Sequence, residues 1–312
     1  MRALLLFLCL CSAAFAQPQQ QDNPLKNHDP EKALITADDI ALFWKAYDLW
    51  AGEYKADPAR LPEVLQKEYL DKGSVGVQDF IPHRIESAKN LSAVVLKTRF
   101  YYEGVRRNNN DLVRSVLPEL RKDFAELKRL YPDAVFPPVY FVIGALTSGG
   151  TSSRHGLIIG AEMLSDQNPF FPSIDAVGLV MHELTHYQQI HPDNDLLATC
   201  MREGTADFVA ELASGHNLNA RRKVYGDSHE EELWAKFQED TKKNQNQGDW
   251  LYNYDKSQPD LGYYMGYKIS QALYQSAKNK SEALRMIIEM RDPQKIYELS
   301  GYGKRFSYQE VK

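Results

Sequence analysis

Residues 180–189 read VMHELTHYQQ, with His182 and His186 four positions apart and Glu183 beside the first of them. A helix turns about 100° and rises about 1.5 Å per residue, so the two histidines are offset by roughly 40° and roughly 6 Å along the axis. Both imidazoles can reach one ion. Glu183 lies next to that face, where its carboxylate can meet a water on the ion without ligating it, which suits zinc with a glutamate as general base. Zinc in a catalytic site takes three protein ligands and leaves one position open. The segment MREGTADFVAEL (201–212) offers the third, because Glu203 and Asp207 are four apart and share one face of a second helix. Glu203 is expected as the ligand. Asp207 is expected to accept a hydrogen bond from the far ring nitrogen of a ligating histidine and so fix its tautomer.

These side chains need elements to hold them. The segment QNPFFPSI breaks the chain before the histidine helix, and Ser173 is expected as its N-cap. Two short apolar runs precede it, VYFVIGAL (139–146) and HGLIIGAEML (155–164), joined by the turn chemistry of TSGGTSS. They read as a two-stranded unit with a Gly-rich connection. Nothing in that connection has the spacing of a phosphate loop. Earlier still, ITADDIALFWKAYDLW carries Leu42, Phe43, Ala46, Tyr47 and Trp50 at helical spacing, a core stripe with Thr36 as the expected cap and Ile35 against Ile40. Further helical patterns cover 84–106 and 111–130. In DLGYYMGYKISQALYQ (260–275), Gly262 and Gly266 form a smooth stripe that lets one helix approach another closely.

At the level of the whole chain, residues 1–16 (MRALLLFLCLCSAAFA) have an early arginine, a short apolar run and small residues at Ala14 and Ala16. That is the pattern of a secretory signal peptide cleaved near Ala16, and it predicts a secreted or periplasmic mature protein. Residues 17–33 are polar and rich in Gln and Pro, and are expected to form a disordered leader. A helical N-terminal region (34–135) and a catalytic region (136–312) follow. Loss of the signal peptide would leave Cys200 as the sole cysteine, so no intramolecular disulfide is expected. The net charge of -5, with acids and bases interspersed, offers no basic patch for nucleic acid, and no later segment is apolar enough for a transmembrane segment. Oligomeric state is not legible.

HELTH followed by EGTAD resembles the gluzincins, the thermolysin-like zinc metallopeptidases, and among them is most similar to small exported proteins with the marks of zinc-dependent proteases. The resemblance covers roughly residues 139–275, with sixteen residues between His186 and Glu203 making a tight connection. It implies an α+β, mostly helical zincin-like fold with a small twisted sheet packed against the HExxH helix. It also implies one Zn²⁺ per chain on His182, His186 and Glu203, a peptide or protein substrate, and Glu183 as general base. The strand near 156–162 would pair antiparallel with an extended substrate. A tyrosine or histidine that holds the developing oxyanion is common in the clan, and Tyr263, Tyr264 and Tyr267 are candidates, Tyr263 first, with His155 behind them.

Other assignments stay open. GTAD is similar to the signature of aspzincins, in which Asp207 would ligate, and His191-Pro192-Asp193 could supply a third ligand. Pro192 occupies the place of the third histidine of metzincins. The remaining His28, His83, His191, His216 and His229 read as surface residues. Against an exported zinc-dependent peptidase stands a non-catalytic exported zinc-containing protein that binds a partner in the same groove. Hydrolysis of a non-peptide amide is a narrower option.

Overall fold

A computed structural model describes residues 26–164, 174–190, 195–253 and 256–309. The expected signal peptide, Ser173 and the His191-Pro192-Asp193 tripeptide lie outside the described residues. The fold is α+β and mostly helical. Ahead of the sheet's last three strands come helices α1 (Asp38–Gly52), α2 (Leu61–Leu65), α3 (Val75–Phe80), α4 (Ala88–Lys97) and α5 (Arg99–Leu130). After those strands come α6 (Ala176–Gln188), α7 (Leu196–Ser214), α8 (Ala220–Ser228), α9 (Glu230–Lys243) and α10 (Gln247–Trp250). The last three are α11 (Leu261–Ser276), α12 (Lys280–Glu289) and α13 (Pro293–Ser300). No helix among the described residues is long and apolar enough to cross a membrane.

The aromatic stripe of α1 is core, with Phe43, Trp44, Tyr47 and Trp50 buried. Phe43 meets Tyr69 edge to face at 5.3 Å between ring centroids, a favoured aromatic geometry. The N-cap position of this helix is Ala37, one residue after Thr36. Thr36 lies in strand β1 (Ile35–Thr36), which pairs parallel with Val139 and Tyr140, and its hydroxyl accepts the Asp38 N–H at 3.3 Å. Asp39 accepts the backbone N–H of Ser74 at 2.9 Å and its hydroxyl at 2.5 Å. The helical pattern at 84–106 divides at Thr98, whose hydroxyl bonds the Val94 carbonyl, and α5 then continues through 111–130. The end of the expected leader, residues 26–33, is ordered. Asn27 accepts the Phe136 N–H through its carbonyl, Arg121 bonds the Pro30 and Ala33 carbonyls, and Ala33 is buried. The charged side chain of α5 is the physical reason: it satisfies backbone carbonyls that a polar leader would otherwise give to water.

The sheet has the order β1-β2-β4-β3, where β2 is Val139–Val142, β3 is Gly150–Ser153 and β4 is Gly156–Gly160. The two apolar runs are therefore parallel neighbours, Val139 opposite Leu157 and Val142 opposite Gly160. The Gly-rich connection supplies a strand of its own, antiparallel to β4, with Ser153 opposite Gly156. The β2 ladder ends at Val142 because Ile143 gives both its N–H and its carbonyl to the buried Tyr69 hydroxyl, at 3.0 and 2.7 Å. Gly144 then donates to Glu162 at 2.8 Å. Gly156, at φ +140, makes the turn into β4. This corrects the expectation for residues 156–162: β4 is central, buried throughout, and has no free edge for a substrate. The exposed edge belongs to β3.

One hydrophobic core runs from α1 to the C-terminal helices and takes in both sides of the 135/136 boundary. The sheet packs against α6, which contacts β3 and β4, and α7 lies across α6 and against α11. Glycine makes the α7–α11 contact possible. A Cβ on Gly204 would fall into the backbone of Tyr263 and Tyr267, and one on Gly266 into the backbone of Cys200. The Gly262/Gly266 stripe is thus a close-packing surface.

Candidate metal centre

Asp175 starts α6, its carboxylate accepting the N–H groups of Val177 at 3.0 Å and Gly178 at 3.1 Å. The N-cap of α6 is Asp175. Two turns on, His182 is buried and His186 half-buried, with their Nε2 atoms 3.0 Å apart. Helix α7 begins at the Asp195 cap and brings Glu203 to the same point: its Oε2 lies 3.2 Å from Nε2 of His186 and 3.6 Å from Nε2 of His182. Among the described residues these three form the group able to hold a metal ion. Tetrahedral ligands at the usual zinc distances of about 2.0–2.1 Å stand about 3.3 Å apart. The observed 3.0, 3.2 and 3.6 Å bracket that value.

The far ring nitrogens are held as well. Nδ1 of His182 donates to Oδ1 of Asp207 at 2.8 Å, and Nδ1 of His186 donates to Oε1 of Gln189 at 2.8 Å. Gln189 cannot turn its amide over, because Nε2 donates to the Arg202 carbonyl at 2.9 Å. Both imidazoles therefore present Nε2 lone pairs to the same point, the arrangement that ligating histidines require. Gln189 escaped the sequence reading. It ends the quoted VMHELTHYQQ stretch at i+3 from His186, and that spacing was the signal available.

Electrostatics favour a cation here. Burial alone would push His182 down, yet the carboxylates of Asp207 and Glu203 carry it up to about 10. Burial raises Glu203, but the imidazoles of His186 and His182 hold it well below the usual carboxylate range. Two buried acids around two imidazoles make a negative pocket that a divalent metal ion would neutralise and a proton offsets in part.

The chain matches no known protein-family model, no curated protein and no solved structure. Geometry alone must carry the reading.

Glu183 stands beside the three ligating groups and faces β3, where a Cβ on Gly150 would come within 2.7 Å of its Cγ and Oε1. Glycine at 150 makes room for that carboxylate. Glu183, the three residues able to hold a metal ion and the β3 segment line one open cleft of about 610 Å³, a size common for ligand sites. Tyr263 lines it too, its ring stacked on His182 at 6.1 Å between centroids and covered on α8 by the Arg222 guanidinium at 5.0 Å. Tyr264 and Tyr267 do not line the cleft: the Tyr264 hydroxyl bonds Asp227, and Tyr267 takes a bond from Gln271. His155 is also elsewhere, in the β3–β4 turn, with Nδ1 2.7 Å from Asp79.

Tyr252 is a second phenol in the cleft, missed in the sequence, its hydroxyl 3.5 Å from Oε1 of Glu203. A polar chain links it to the centre. Asp207 accepts from Asn219, Asn219 from Arg222, and Arg222 donates to Asp260 at 2.9 Å. Asp260 then accepts the Tyr252 N–H at 2.6 Å and fixes that residue at φ +59. No signal in the sequence joins these positions, since they come from four separate segments.

Proposed function

We propose that the chain is an exported zinc-dependent peptidase, with His182, His186 and Glu203 as the metal ligands and Glu183 as general base. One observation carries the reading. Three possible ligand atoms lie within reach of one ion, the far nitrogens of both histidines are hydrogen-bonded, and a carboxylate outside that set lines the same open cleft. A purely structural site has no use for that fourth group.

When bound, zinc supplies Lewis acidity, acidifying water and polarising a carbonyl. The chain's own residues do the rest. Asp207 and Gln189 keep the imidazole rings turned toward the ligand point. Glu183 takes a proton from the attacking water and returns it to the leaving amine nitrogen. A peptide laid along the free edge of β3 adds a strand there, which places its backbone beside Glu183. Tyr263 and Tyr252 are the phenols able to donate to a carbonyl oxygen as charge develops on it.

Glu183→Gln tests this reading. The change is nearly isosteric and removes no ligand, so zinc content by elemental analysis should stay near one per chain. Hydrolysis of a broad peptide library should fall by at least about 10²-fold. Wild-type protein that carries zinc and cleaves nothing would rule the peptidase out, and retention of a bound partner by both forms would establish the binding protein in its place.

A further inference from the structure

The cleft has few apolar walls. Among the described residues that line it there is no valine, leucine, isoleucine or phenylalanine. Its β3 side is made of hydroxyls, Thr147, Ser148, Thr151 and Ser152, and glycine. A wall of this kind gains little by burying an apolar side chain. Two arginines complete the lining, Arg84 and Arg202.

Arg84 comes from the N-terminal region. It sits in a π-helical turn (Ile81–Ile85), and the Thr147 hydroxyl bonds its carbonyl at 2.9 Å, which ties this turn to the loop leading into β3. No carboxylate of a described residue lies within ion-pair distance of it. Arg202 stands at the metal end, Nε 3.7 Å from Oε1 of Glu203. The carboxylates lining the cleft are those of Glu183 and Glu203, and Asp207 lies behind His182. A divalent ion offsets two of these three charges, and the two arginines then leave the cleft net positive in a chain that is acidic overall. Arginine presents a fork of donors matched to a carboxylate.

We propose that the site selects peptides bearing a carboxylate close to the scissile bond, with Arg84 and Arg202 as the specificity-determining residues. The inference rests on the peptidase reading and names its substrate class. The carboxylate could come from an Asp or Glu side chain or from a free chain terminus.

The test uses zinc-loaded full-length protein and matched peptides carrying Glu or Gln, each with a free or an amidated C-terminus. The expected result is a kcat/KM at least tenfold higher for the carboxylate member of a pair. Preference that follows Glu over Gln in amidated peptides assigns the side chain, and preference for the free terminus alone assigns the terminus. Arg84→Ala should collapse the preference toward unity with zinc content unchanged, and Arg84→Glu should turn it toward Lys-containing peptides. Arg202→Lys, which keeps the charge but loses the fork, should retain part of the preference.

Cleavage with less than a twofold difference within every pair overturns the proposal and leaves the peptidase reading intact. If no peptide is cleaved, binding of the same fluorescent peptides to zinc-loaded Glu183→Gln decides. Tighter binding of the carboxylate members, lost in Arg84→Ala, sustains the anion site while the peptidase reading fails. Equal binding overturns the proposal.

Discussion

Glu203 and Asp207 stand one turn apart on α7 and address opposite ends of one imidazole. Oε2 of Glu203 is 3.6 Å from Nε2 of His182, while Oδ1 of Asp207 is 2.8 Å from Nδ1. That geometry suits the proposed roles of Glu203 as ligand and Asp207 as supporting residue, and the proposal separates two variants. Glu203→Ala removes one of three ligands and should lose most of the zinc on dialysis. Asp207→Asn keeps the shape but weakens the hold on the His182 ring, so zinc should remain with affinity lowered by about 10- to 100-fold. Competition with a chelator of known affinity measures both. Asp207→Asn losing zinc while Glu203→Ala keeps it would reverse the roles and support the aspzincin-like alternative.

Helices α7 and α11 meet at glycine, and this contact sets where Glu203 and Asp207 can be. Alanine normally favours a helix over glycine by about 1 kcal/mol. At Gly204 the clash decides instead, because the new Cβ would overlap the backbone of Tyr263 and Tyr267, which cannot rotate away as a side chain does. Gly204→Ala should therefore destabilise the protein by about 1–3 kcal/mol, the usual cost of overpacking. It should also lower zinc affinity, since its neighbour Glu203 moves with the helix. Urea unfolding and zinc titration of the same preparation check the two effects, and an unchanged midpoint with unchanged affinity would mean that α7 and α11 separate freely. Ala at Gly52 makes a control, since nothing lies within 4 Å of a Cβ there.

Across the molecule, the N-terminal helices are tied to the metal helix through His216. Its Nδ1 lies 2.5 Å from Oδ2 of Asp175, the cap of α6, and its Nε2 lies 3.0 Å from Oε1 of Glu119 on α5. The expectation of a surface histidine without a partner fails here, because both partners arrive from distant parts of the chain. Burial would lower His216, but Asp175 and Glu119 raise it above its ordinary value. A raised histidine binds its proton more tightly when folded than when unfolded. Its stabilisation is complete below about pH 6.5 and is lost as pH rises through the folded value. In zinc-loaded protein the melting temperature should drop by about 2–4 °C over that rise, for a contribution near 1 kcal/mol. His216→Gln should flatten that part of the profile. Parallel profiles for both proteins between pH 5.5 and 9 would show that the contact is not charged.

Sequence alone determined the parts whose physics is local. The i, i+4 spacing of His182 with His186 and of Glu203 with Asp207 follows from helical pitch, so the candidate site was legible before any fold was known, and the structure brings the three expected ligands together. The core stripe of α1 and the glycine face of α11 were legible for the same reason, while the α+β, mostly helical character came from the resemblance of the two motifs to gluzincins. Tertiary structure decided what depends on segments far apart in the chain. It made the Gly-rich connection the edge strand, because pairing with β4 satisfies backbone groups that a turn would have left to water. It buried the strand expected at that edge between two neighbours. It carried Tyr252 to the cleft beside Glu203, and brought Arg84 from a helical region with no legible role. A pairwise contact between distant segments leaves no periodicity in either of them, and only the packed chain can show it.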